Sequence, residues 1–166
     1  MYSATDMSQH IEISISHQSL ELFEGARCIQ RYAISTAKNG AGELEGSGCT
    51  PRGWHMIRAM IGENAAENAV FVGRRPTGEV YNCALANAFP KRDWVLTRIL
   101  WLSGLEVGKN RLGKVDTMRR YIYIHGCPDE LPMGVPLSHG CIRMHNRDIV
   151  TLFSLLGSPV RVLISE

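Results

Sequence analysis

The chain reads as a mainly β domain with a helix late in the sequence, and three stretches carry that reading. Ile11, Ile13 and Ile15 alternate with Glu12, Ser14 and Ser16, the period of a strand buried on one face. Tyr121, Ile122, Tyr123 and Ile124 form a short run of aromatic and β-branched residues. Ile149, Leu152, Phe153 and Leu156 repeat at helical spacing. The 166 residues suffice for one domain with a real core, and no repeat, linker or low-complexity block divides residues 1–166.

In chain order, the first strand spans residues 10–16. Leu20 and Leu22 alternate around Glu21, Glu24 and Gly25 turn the chain, and Cys28 to Ile34 return, so the opening is a hairpin. Cys28 is expected as a small core residue. Residues 37–50 hold Gly40, Gly42, Gly46 and Gly48 and predict a long loop. No GK[ST] follows it, so it is not a phosphate-binding loop. Thr50 to Gly53 is a turn leading into a strand with Trp54, Met56 and Ile57. Residues 63–69 read as a helical turn or a loop, 70–72 as a strand, and Arg74 to Gly78 as a turn. Asp93 to Leu102 fits helix or strand, with its β-branched and aromatic content favouring strand. Gly104, Gly108 and Gly113 mark a loop. After Cys141 comes the helix, with Asn146 as its cap, Asp148 in its first turn, and Gly157 and Pro159 as its stop. Val160 to Ile164 closes the chain as a strand.

Composition narrows the function classes. Hydrophobic residues make up 45% and charged residues 20%, the balance of a globular protein. The net charge is +2 without a basic block, which gives no nucleic-acid signature. No apolar run approaches the ~18 residues of a membrane span. The terminus MYSATDMSQH has no basic or apolar leader. The expectation is therefore a cytoplasmic protein, or a periplasmic one if a leader has been removed. With five cysteines and no leader, free thiols are expected.

The chemistry concentrates in His125 to Met144, HGCPDELPMGVPLSHGCIRM. His125 ends a strand pattern, where its ring can be held rigidly. A cysteine attacks as its thiolate and needs a proton acceptor, which histidine supplies near neutral pH. Cys141 is then a nucleophile candidate with His125 as its partner. Gly140 lets backbone approach a substrate, and the N–H groups around Gly140 and Cys141 are oxyanion donors. Two rival readings stand beside this. The pairs His125-x-Cys127 and His139-x-Cys141 supply four zinc ligands, although a one-residue spacing is not the usual knuckle. Alternatively, the histidines are ordinary surface or core residues. His10, His17 and His55 are expected to be solvated, and Trp54, Trp94 and Trp101 to be core. Arg74, Arg75 and Arg92 read as surface charges.

The segment resembles the signature of the L,D-transpeptidase catalytic domain, the YkuD type. The resemblance rests on His125-Gly126 at a strand end, then Ser138-His139-Gly140-Cys141 followed by Ile142-Arg143-Met144, with Thr50-Pro51-x-Gly53 upstream. It covers nearly the whole chain and implies a β-sandwich-like domain with flanking helices. It implies Cys141 as nucleophile, His125 as proton donor and acceptor, and His139 and Gly140 as oxyanion backbone. It assigns Ser138, Arg143 and Gly126 to the substrate, with Ser138 also supporting the histidines and Arg143 facing the substrate's carboxylate or bracing the loop. No cofactor and no metal are implied. The partners are peptidoglycan stem peptides or muropeptides, cut before a D-alanine through a thioester. A cytoplasmic member would be an L,D-carboxypeptidase in murein recycling. The alternatives are a periplasmic L,D-transpeptidase, or a non-catalytic zinc-binding or wall-binding module. Cys127 departs from the pattern, as a second thiol open to metal capture or to a disulfide with Cys141.

Overall fold

A computed structural model describes residues 8–157 and 159–166. The segment 1–7, part of the terminus read for a leader, lies outside these residues. The chain opens with β1 (Gln9–Ser14), β2 (Ser19–Glu24) and β3 (Arg27–Ala33), paired antiparallel in sequence order. The alternation does what its period requires: Ile11, Ile13, Leu20 and Leu22 are fully buried. Cys28 breaks the expectation. A register shift between Leu22 and Phe23 re-aims the start of β3, and Cys28 is exposed.

Next come β4 (Gly53–Ile61), β5 (Ala69–Val72) and β6 (Arg75–Val80). The turn expected over Arg74 to Gly78 is shorter than that. Gly73 and Arg74 take positive φ and make a tight hairpin, and the rest pairs as β6. β6 lies at a sheet edge and buries none of its residues, so it carries no alternation to read. The short helix α1 (Cys83–Ala88) was not anticipated. It is capped by Asn82, whose side chain accepts the Leu85 N–H at 2.8 Å. The ambiguous segment forms a strand, β7 (Val95–Gly104), followed by a long loop and β8 (Tyr123–Gly126). Ile142–Met144 form a further short strand, β9, then α2 (Asn146–Leu155) and β10 (Arg161–Ser165) follow.

The α2 cap is a correction. His145 occupies the cap position without a side-chain bond, and Asn146 points inward and is fully buried. Asp148 stands in the first turn as expected, and the helix ends two residues before Gly157.

The strands run β3-β2-β1-β10-β4-β7-β5-β6, with β8 on β7 and β9 on β8. Residues just past β3 bridge to β9 and to the turn before it. Ser35 and Arg143 exchange backbone bonds of 2.9 and 2.8 Å, and Ala37 bridges Ser138. The sheet therefore bends round on itself, as the sandwich-like expectation requires, and encloses the main core. That core joins Ile11, Ile13, Leu20 and Leu22 to Leu100, Leu102, Ile124, Ile142 and Met144, with Ile149 and Leu152 of α2. Each such side chain contributes roughly 1.5–3 kcal/mol of burial. The same closure brings β8 and β9, the strands that flank the reactive segment, to the centre of the fold.

His55 is a second correction. It is fully buried in β4, bonded to Gly53 O and Thr117 Oγ1, both at 3.0 Å. Trp94 is buried as expected, while Trp54 and Trp101 are half-buried. Among the described residues, no helix is long and apolar enough to cross a membrane.

Candidate active site

β8 delivers His125 to the interior. The strand pairs with β7, placing His125 opposite Ile99. Its ring is buried, and Nδ1 lies 2.6 Å from the carbonyl oxygen of Gly126. A carbonyl only accepts, so Nδ1 carries the hydrogen and the neutral ring keeps its lone pair on Nε2. Burial lowers the pKa of His125, outweighing the Gly126 carbonyl and the Asp93 charge, which raise it. The ring is thus held neutral with one basic nitrogen.

Cys141 stands at the end of the Ser138–Cys141 turn, just before β9. Its Sγ accepts the Tyr123 N–H at 3.3 Å and donates to Tyr121 O at 3.3 Å. Burial pushes the thiol up to about 11, against the lowering effect of the Tyr123 N–H and of Arg143 and Arg120. At rest the pair is therefore a neutral thiol and a neutral imidazole. Among the described residues no direct hydrogen bond joins the two, but both line one pocket of about 140 Å³.

The turn is braced from three sides. Ser138 Oγ donates to Cys141 O at 2.5 Å and accepts the Gly140 N–H at 3.2 Å. Thr50 Oγ1 donates to Gly140 O at 2.9 Å and accepts the Ala37 N–H at 3.0 Å. Gly140 has φ +133, and a Cβ there would lie 3.3 Å from Ile122 Cδ1 and 3.4 Å from Cys49 O. Its N–H is given to Ser138 within the turn, so the free oxyanion donor expected at Gly140 is not what the turn presents.

Three further assigned residues are held by specific partners. Ser138 is buried, holds the turn and also lines the thiol pocket. Gly126 lies against the fold interior: a Cβ would sit 2.4 Å from Asn146 Oδ1 and 2.7 Å from Leu96 O, while its carbonyl fixes the His125 tautomer. Arg143 is nine-tenths buried and donates to Asp93 Oδ1 at 3.1 Å and Leu137 O at 3.3 Å, which is the loop-bracing role.

Several residues escaped sequence reasoning. Asp93 bridges Arg143 and His139, whose Nδ1 lies 3.2 Å from Oδ2. Desolvation raises the pKa of Asp93, but the bond from His139 and the charges of His125 and Arg143 win and hold it low. Arg120 donates to Cys49 O at 2.6 Å and Gly42 O at 3.2 Å, pinning the glycine-rich loop beside the thiol. Tyr121 and Tyr123 grip Sγ through their backbones. None of these carries a local pattern; only TP-x-G pointed to Thr50.

A groove of about 470 Å³ adjoins the thiol pocket. Pro128, Glu130, Leu131 and Leu137 form one wall, so the loop after β8 walls the groove. Asp93, His139 and Arg143 belong to both cavities. The zinc alternative fails on geometry: among the described residues no three His, Cys, Asp or Glu side chains gather in a metal-binding group. Cys127 is fully buried, hydrogen-bonded to Met144 O, and its thiol is pushed up to about 12 by burial. Its thiol is free and not paired with Cys141.

The L,D-transpeptidase catalytic domain (YkuD) family model matches residues 8–164. A Bacillus subtilis protein, the candidate L,D-transpeptidase YkuD, is 38% identical over 48 residues, 29% of each chain. Another from the same organism, the candidate L,D-transpeptidase YqjB, is 46% identical over 43 residues, 26% of this chain and 24% of its own. The aligned stretches thus span under a third of these relatives. Among solved structures, an L,D-transpeptidase from Xylanimonas cellulosilytica superposes with a TM-score of 0.54 at 19% identity, over 98% of this chain and 63% of that one. One from Mycobacterium smegmatis gives 0.55 at 12%, over 96% and 59%. At these identities the structures show a shared fold.

Proposed function

Because the chain belongs to the L,D-transpeptidase catalytic domain family, we propose that it transfers the acyl group of peptidoglycan stem peptides through a thioester on Cys141. The observation that carries this reading is the His125 tautomer. Nδ1–H is committed to the Gly126 carbonyl, so Nε2 is the base that shares the small pocket with the Cys141 thiol.

The steps follow from that pairing. As the thiol meets the substrate carbonyl, its proton passes to His125 Nε2 and Sγ bonds to the carbonyl carbon. The resulting oxyanion takes the backbone N–H groups of His139 and Cys141, since Gly140 spends its own within the turn. The C–N bond breaks, and His125 returns the proton to the departing D-alanine amine. The thioester is then attacked by an acceptor whose proton again goes to Nε2, which restores the thiol.

The acceptor defines the activity. We infer water, which makes the enzyme an L,D-carboxypeptidase that trims tetrapeptides in murein recycling, with a cytoplasmic location to match. The thiol pocket of about 140 Å³ favours a small acceptor. Wall transpeptidation is the second reading, favoured by the names of the relatives. Purified protein and a tetrapeptide stem separate them. Free D-alanine with tripeptide is the expected product, and a cross-linked dimer as main product overturns the carboxypeptidase reading. Intact mass spectrometry should show an acyl-enzyme that is lost in Cys141→Ala. A non-catalytic wall-binding module would bind the peptide and form no adduct.

A further inference from the structure

A second feature borders the thiol on its β5–β6 side, and neither the family signature nor the mechanism uses it. The hairpin between β5 and β6 turns on Gly73 and Arg74, both at positive φ (+55 and +64), so its tip is tight and well defined. The tip holds the Arg74 guanidinium 4.5 Å from the Trp101 ring centroid and 5.0 Å from that of Tyr121. Arg74 Nη1 donates to Tyr123 Oη at 3.0 Å. These two tyrosines are the ones whose backbones hold Cys141 Sγ. Tyr121 is 55% exposed, so the ring forms an open shelf beside the nucleophile.

The other guanidinium groups around the thiol and its groove are spent. Arg143 is paired with Asp93, and Arg120 with the carbonyls of the glycine-rich loop. Arg92 is paired with Glu79. Arg74 has no carboxylate partner among the described residues; its one hydrogen bond goes to a neutral phenol. The guanidinium carbon lies over both rings, and of its nitrogens only Nη1 is given a hydrogen-bond acceptor among the described residues. A planar cation held that way is preorganised for bidentate capture of a carboxylate.

We propose that Arg74, on the Trp101–Tyr121 shelf, binds a free carboxylate of the acyl-donor peptide and selects acidic over amidated donors. This rests on the acyl-transfer reading of Cys141 and adds which donor it takes. The peptide then runs from the shelf across Sγ into the groove walled by the loop after β8. A stem peptide has more than one carboxylate, and the shared chemistry is the anion itself, so the donor groups are distinguished experimentally.

The test uses tetrapeptides with every carboxylate free and with each amidated in turn. Binding is measured by calorimetry to Cys141→Ala, which cannot form the thioester, and kcat and KM are measured on the otherwise unaltered enzyme. Amidation at one position is expected to weaken binding and raise KM about tenfold or more, with kcat little changed. Adding Arg74→Gln should erase the preference, bringing the acid-to-amide ratio to about one, and Arg74→Lys should restore part of it. A mere brace for three rings would weaken acid and amide alike. Equal binding of acid and amides, or a preference that survives Arg74→Gln, overturns the proposal. A preference that depends on Arg74 without any acyl-enzyme or D-alanine would instead uphold the shelf and sink the catalytic reading.

Discussion

At the scale of single residues, proton inventory governs the site. The His125 pKa is lowered by burial, so its basic form is already populated at the ordinary histidine value near 6.5. The Cys141 thiol is raised to about 11, so it reacts as a thiol that hands over its proton rather than as a standing thiolate. The expected profile of kcat/KM is flat from pH 6.5 into the alkaline range, with its acid limb below 6.5. A steady-state pH series checks this, and an acid limb centred above 6.5 would contradict the assignment. Asp93 raises the pKa of His125 by its charge, so Asp93→Asn should move that limb to still lower pH. The same change leaves the buried guanidinium of Arg143 without its carboxylate, and a loss of about tenfold in kcat/KM is expected. The motif pointed to Cys141 and His125, because both are reactive types at the ends of regular elements. It was silent on Asp93, which lies 46 residues from His139 in sequence.

At the scale of elements, two asparagines at helix starts behave in opposite ways. Asn82 is an exposed cap that accepts one backbone N–H. Asn146 opens α2 yet turns inward, donating to Cys127 O at 2.8 Å and accepting from Thr97 Oγ1 at 2.5 Å. It thereby joins the segment just after β8, the bulged part of β7 and the helix that backs the site. Asn146→Ala should cost about 2–3 kcal/mol, because buried partners lose their bonds. Asn82→Ala should cost about 1 kcal/mol, as an exposed cap. Urea unfolding of both variants measures the contrast, and equal losses would reduce Asn146 to an ordinary cap. Sequence pattern located the helix correctly from its apolar face, but misread the start, since an asparagine one residue inside a helix resembles one at the cap. β6 and α1 were illegible for a related reason: neither contains a fully buried residue, so neither has a burial period.

At the scale of the molecule, the buried His55 couples folding to acid. Burial lowers its pKa to about 4, while the Gly53 carbonyl and Glu106 oppose the shift only partly. The unfolded chain takes up this proton near pH 6.5, and the folded chain does not until about 4. His55 thus costs no stability above 6.5. Between 6.5 and about 4 the unfolded state binds more protons, and stability falls by about 3 kcal/mol. Chemical denaturation across that window should show the slope, and His55→Gln should flatten it. An unchanged slope would assign acid sensitivity to other groups. The effect resides in β4 and in the loop anchored by Thr117, which runs on within three residues into Arg120 of the thiol pocket.

The sequence by itself determined the fold class, the family resemblance and the two residues that carry the proposed chemistry. Strand alternation and helical spacing are local consequences of burial, and the histidine and cysteine lie within one short segment. Only the tertiary structure decided how that segment is held. The closing bridge from Ser35 to Arg143, the brace from Thr50, the Arg120 clamp and the shelf of Arg74 join positions from 27 to 108 residues apart. Contacts of that range leave no period in the chain, because they arise when a sheet bends round and meets itself.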